Sequence, residues 1–252
     1  MDWFAPLDLY CERLEPGLWG EPLNAVSNLA FFFAAGLAAR SARRRQVAAN
    51  DGFLWSLIGL VAVIGAGSLA FHTAATVWGL IADTVPITLF VYAYFLFSLR
   101  RFLNMGWAAA IIWTAVYFAA SWGFGEMLPH GVMNGSGSYL PALVAMTGIG
   151  SGLIARGHPA GHWLAGAGGL FLISLTFRTI DGAICQTVPL GVHFLWHLCN
   201  ALVLWLLLEA AVRFGTGRYR GPMRIMPSIA LYGGTSMLVR DIARWESLLR
   251  ER

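Results

Sequence analysis

Seven stretches of this chain stay apolar long enough to cross about 30 Å of hydrocarbon at about 1.5 Å per residue. They lie near 23–40, 53–72, 79–99, 106–124, 138–155, 162–180 and 190–212. The expected fold class is therefore an all-α membrane protein, a seven-transmembrane helix bundle with no soluble domain inserted and no internal repeat. Composition agrees. The chain is 58% hydrophobic and 12% charged, whereas soluble domains carry about a quarter charged residues, so it lacks the polar residues to cover a water-facing surface. The net charge of +4 is modest, and the arginines do not line a groove-like stretch, which argues against a nucleic-acid partner. The first twenty residues are acidic and lack a small-residue cleavage site, so no cleavable signal peptide is expected.

The arginines orient the spans. Arg40, Arg43, Arg44 and Arg45 follow the first, Arg100 and Arg101 end the third, Arg156 ends the fifth, and Arg213, Arg218 and Arg220 follow the seventh. With seven spans all of them fall on one side. The other side carries Arg13, Arg178 and several carboxylates. By the positive-inside rule the N-terminus is outside and the C-terminus cytoplasmic. Residues 1–220 form the bundle. Residues 221–252 form a cytoplasmic tail, in which Leu238, Ile242, Trp245 and Leu249 fall at helical spacing among arginines and predict an amphipathic surface helix.

An ionisable residue within a span costs a few kcal/mol, so each calls for a reason. His72 lies near the outer end of the second span, with Ser68 one turn earlier on the same face. Asp83 lies just inside the outer end of the third. His193 and His197 lie near the outer end of the seventh, four residues apart on one face. All five share one depth, although they are scattered along the chain. Three imidazoles with one position left open form the ligand set of a catalytic zinc, which lowers the pKa of bound water to about 7. The run His193–His197 has the spacing of an HExxH helix but carries Phe194 where that motif places its base. Asp83 is the carboxylate at the right depth to replace it, and Ser68 can donate to a developing oxyanion. The competing reading is that these residues only hydrogen-bond neighbouring helices. His158 and His162 repeat the spacing around Pro159 and Gly161 on the opposite side, and read as solvated loop residues. His130, beside Pro129 and Gly131, reads the same way.

The pattern Ser68-x-x-x-His72, Asp83, His193-x-x-x-His197 on seven spans resembles the alkaline ceramidase family, and more broadly the membrane hydrolases that include adiponectin-type receptors. Tyr10-Cys11-Glu12, then Glu21, Asn24, Ser27 and Asn28, and Asp181-x-x-x-Cys185 extend the resemblance over residues 8 to 212. It implies a zinc-dependent amidase that cleaves ceramide to a sphingoid base and a fatty acid. His72, His193 and His197 would hold zinc, Asp83 would act as acid and base, and Ser68 would stabilise the oxyanion. It also implies a calcium site from Asp8, Glu12 and Glu21, with Asp8 one residue out of register. Carboxylates in an irregular loop suit calcium, and an acidic outer segment that merely obeys the charge rule is the alternative. The same resemblance suggests a Cys11–Cys185 disulfide, since both residues lie on the non-cytoplasmic side, with Cys199 free; two free thiols are the alternative. The partner is then a membrane lipid, with no obligate protein partner. The Arg-only, Gly- and Ala-rich chain looks bacterial, which points to an inner membrane and to exogenous ceramide or another N-acyl lipid as substrate. A lipid receptor or sensor with a structural zinc is the rival function, and a transporter the weaker one.

Overall fold

The computed structural model describes residues 2–13, 17–129 and 131–215. The tail expected over 221–252 and His130 lie outside the described residues. Seven helices in the described chain are long and apolar enough to cross a membrane. They are α1 Pro22–Arg44, interrupted at Asn28, α2 Gly52–Ala74, α3 Val77–Phe102, α4 Trp107–Met127, α5 Leu140–Ala155, which reaches spanning length only with the segment Val132–Tyr139 before it, α6 Ala160–Ile180 and α7 His193–Phe214. No strand occurs among the described residues. The seven expected stretches match these helices to within a few residues. The first helix runs four residues further than expected, to Arg44, and two entrances also differ. A 3-10 segment, Val132–Tyr139, with left-handed Met133, Asn134 and Gly135, leads into α5. Residues 190–192 are a turn ahead of α7 and not part of it.

Long-range carboxylates start two of these helices. The first amides of any helix have no partner within it. Glu12 accepts from Leu23 N at 2.6 Å and Asn24 N at 2.8 Å, and so caps α1 from ten residues away or more. Asp181 Oδ1 accepts from Val192 N at 2.6 Å and His193 N at 2.9 Å, and starts α7. Locally, the Asp51 side chain caps α2 by accepting from Leu54 N at 3.3 Å. Gly191, at φ +63, makes the turn into α7. A Cβ there would collide with Asp181 Oδ1 and come within 2.9 Å of Cys11 Cβ.

Small residues set the packing. Ala34, Ala35, Ala38 and Ala42 give α1 a stripe buried in the core, as expected where close helix approach replaces water exclusion. Gly67 of α2 faces the backbone of Ala82 in α3, which leaves no room for a side chain. One end of the bundle collects arginines: Arg101 bonds Asp51 at 2.9 Å and Gly215 O at 2.9 Å, tying the ends of α2, α3 and α7. The opposite end is covered by the N-terminal segment. It pairs with the α2–α3 turn through Leu7 N to Ala75 O at 2.8 Å and Trp78 N to Trp3 O at 3.0 Å. The Cys11–Cys185 disulfide joins this cover to the turn before α7, and Cys199 is free. The helices expose large apolar side chains, among them Phe33, Val63, Leu89, Ile112, Trp122 and Val144.

Candidate metal centre

Three helix positions converge beneath the N-terminal cover. His72 comes from the last turn of α2, and His193 and His197 from the first two turns of α7, where i,i+4 spacing aims both rings one way. One ring nitrogen from each of the three lies within 4.8 Å of the others, and all three residues are buried. Among the described residues this is the one group of three or more His, Cys, Asp or Glu side chains so placed.

Each ring is held by something other than the cluster. His72 Nδ1 bonds Glu21 Oε2 at 2.6 Å. His197 Nδ1 bonds Ser27 Oγ at 2.7 Å, and Ser27 donates to Asn24 O at 2.7 Å. The Tyr10 ring stacks on His193 at 3.6 Å between centroids. Carboxylates and hydroxyls on the far nitrogen fix the orientation and tautomer of metal-binding imidazoles. The inner nitrogens face the opposite situation. His72 Nε2 and His193 Nδ1 are buried without a hydrogen-bond partner, as is Asp83 Oδ1. Buried polar atoms are nearly always paired, so unpaired nitrogens on two of the three clustered rings fit a site completed by a cation. Neutral imidazoles with an open position match the donor set of zinc.

Asp83 and Ser68 meet at the edge of this cluster because α2 and α3 touch at Gly67. The Asp83 carboxylate lies within electrostatic reach of His72, Ser68 and Arg178. Beside it a partly open apolar cavity runs between the helices. Ser68, Asp83, His197 and Asn200 line one end, and Phe90, Met146, Ile149, Leu164 and Leu207 line the rest. A few polar groups at one end of an apolar cleft are the usual form of a ligand site.

The cover is also electrostatically organised. Burial pushes the Glu21 carboxyl up, but bonds from His72, Arg13 and Asn24 outweigh it, and the net shift is downward. Arg13 Nε reaches Glu21 Oε1 at 2.9 Å. Burial also pushes the Tyr10 phenol up. Arg178 hydrogen-bonds the Tyr10 side chain and donates to Asn134 O and Ser136 Oγ, both at 2.9 Å.

The five residues singled out within the apolar spans thus come together. The acidic trio does not. Asp8 is exposed, Glu12 is spent on the α1 amides, and Glu21 turns to His72 and Arg13. Sequence reasoning missed the roles of Glu21, Ser27 and Tyr10 as partners of the histidines. No local signal could have found them, since each lies dozens of residues from its ring. His158 corrects the expectation of a solvated loop. It is buried against Phe102 and Phe214, and its Nδ1 accepts from Ala160 N at 3.2 Å. The loop is too short to lift its ring off the bundle, so the ring packs back beneath α6. His162 is exposed, as expected, but it lies in the first turn of α6 and not in a loop.

Fold and site define, over the described residues, seven helices apolar enough to span a membrane and a covered three-histidine centre beside an apolar cavity that His197 also lines. No family model matches this chain, and no curated protein matches it.

Proposed function

We propose that this chain is an intramembrane zinc-dependent amidase that hydrolyses ceramide or a similar N-acyl lipid to a fatty acid and an amine. The observation that carries the reading is the convergence of His72, His193 and His197, with His197, Ser68 and Asp83 also lining the apolar cavity. The resemblance in these same residues to the alkaline ceramidase family supports the choice of an amide. On this reading the bundle spans a bacterial inner membrane, with the N-terminal cover outside and the arginine-rich end in the cytoplasm.

His72, His193 and His197 would hold the metal. Zinc there supplies a Lewis acid and brings the pKa of water near neutrality. The cavity takes the acyl chain and leaves the amide carbonyl at the histidine end. Asp83 accepts the proton of the attacking water and passes it to the departing nitrogen. The carbonyl carbon gains a C–O bond and loses its C–N bond, so the products are a carboxylic acid and a free amine. Ser68 donates to the carbonyl oxygen as negative charge gathers on it. Tyr10 and the disulfide-tied segment keep bulk water off the centre.

The deciding assay presents purified protein with mixed N-acyl lipids, with and without a zinc chelator, and measures released fatty acid. Release that stops with chelator and returns with zinc is expected. Bound zinc with no turnover of any N-acyl lipid would instead favour a receptor with a structural metal.

A further inference from the structure

The acidic N-terminal segment invites a calcium ion, and among the described residues Asp8, Glu12 and Glu21 do not fit one. Calcium takes six to eight oxygen ligands at about 2.3–2.6 Å. Glu12 has both carboxylate oxygens on backbone amides, Oε1 on Leu23 and Oε2 on Asn24. Glu21 has Oε1 on Arg13 and Oε2 on His72 and Asn24. Asp8 is exposed and joins neither. The positive charge that this pocket would seek from an ion is already supplied covalently. Arg13 is 7% exposed, its Nε lies 2.9 Å from Glu21, and its Nη1 reaches Gly17 O at 3.4 Å.

We infer that the Arg13 guanidinium takes the place of a calcium ion in this chain, and that Arg13, through Glu21, is a positioning residue for the metal ligand His72. The relay is continuous: Arg13 Nε to Glu21 Oε1, Glu21 Oε2 to His72 Nδ1, with His72 Nε2 left facing the cluster. A fixed cation on one carboxylate oxygen keeps the other aimed at the ring and selects the tautomer with hydrogen on Nδ1. That leaves the Nε2 lone pair for a metal. A guanidinium does this without depending on calcium in the medium. It is also weakly hydrated and always charged, which suits a buried position better than an ammonium.

The zinc part of this inference rests on the proposed function, and the calcium part does not. Two measurements on the full-length protein in detergent keep them separate. In equilibrium dialysis with radioactive calcium up to about 1 mM, the range of weak extracellular sites, wild type is expected to show no saturable uptake. Saturable uptake of one calcium per chain would overturn the substitution, whether or not the protein holds zinc. Zinc affinity is then read by competition with a chromogenic chelator. Arg13→Gln is expected to weaken it about tenfold, the lower end of what partners of metal ligands contribute. Arg13→Lys, which keeps the charge, should fall between that variant and wild type. Unchanged zinc affinity in a folded Arg13→Gln protein, or in Arg13→Lys if Gln prevents folding, would overturn the positioning role. Wild type that binds no zinc at all would sink the proposed function while leaving the calcium result to stand alone.

Discussion

Each described histidine has a role set by what surrounds its ring, and substitution separates those roles. His193→Ala or His197→Ala should abolish bound zinc in metal analysis of purified protein, because two imidazoles do not replace three. His162→Ala, at an exposed position, should change neither metal nor stability. His158→Ala should keep the metal but cost about 1–3 kcal/mol, the range for emptying a packed buried site. Burial pushes the His158 pKa down, so the unfolded chain takes up the proton first as acidity rises. Stability linked to this residue is therefore present above about pH 6.5, the unfolded value, and drains away as pH falls below it. His158→Phe should flatten that part of a profile of Tm against pH, and an unchanged slope would count against the buried, neutral ring. Asp83→Asn should retain zinc and lose most hydrolysis, because an amide cannot shuttle protons. Ser68→Ala should lose about 10²- to 10³-fold, the usual cost of one oxyanion donor. Full turnover by Asp83→Asn would show that another group is the base.

At the scale of helices, the site depends on one close approach. Ser68 and Asp83 belong to neighbouring helices that are separate in sequence, and Gly67 lets α2 lie against the backbone of α3 at Ala82. The obstacle to a Cβ is a carbonyl and not a flexible side-chain tip, so relief requires the helices to part. Gly67→Ala should destabilise the protein by about 1–3 kcal/mol. It should also lower hydrolysis while zinc stays bound, since the three ligands sit on α2 and α7. Gly59, also on α2, meets nothing within 4 Å of an added Cβ, so Gly59→Ala serves as the control and should be silent. Loss of zinc before loss of activity in Gly67→Ala would mean that this contact positions His72 and not the Ser68–Asp83 pair. The apolar spans themselves were legible because length and hydropathy are local properties. The entrance to α5 was not, because its left-handed turn at Met133–Gly135 is held by Arg178 of α6 donating to Asn134 O.

Over the whole molecule, the N-terminal cover is tied to α7 by the Cys11–Cys185 bond across 174 residues. Cys11 N also donates to Asp181 Oδ2 at 3.1 Å, so the disulfide and the start of α7 form one joint next to His193. Cys185→Ser should lower Tm. Its cost should be less than the roughly 4–5 kcal/mol that chain entropy assigns to so long a loop, because the bundle already restrains it. Non-reducing peptide mapping of wild type should recover the Cys11–Cys185 pair with Cys199 open to alkylation. Cys11 alkylated in folded, unreduced protein would contradict the joint. From the sequence alone came the seven apolar helices, the grouping of Ser68, His72, Asp83, His193 and His197, and the pairing of the cysteines. Apolar length, helical periodicity and the alternation of sides along a spanning chain are written into consecutive residues. The partners of the histidines were decided only when the chain closed on itself. Glu21, which reads as a calcium ligand, became the partner of His72, and Arg13 became its counter-charge. His158, which reads as solvated, was drawn into the packing. A buried carboxylate or imidazole takes whichever partner the fold brings within about 3 Å, and nothing in its immediate sequence records which residue that will be.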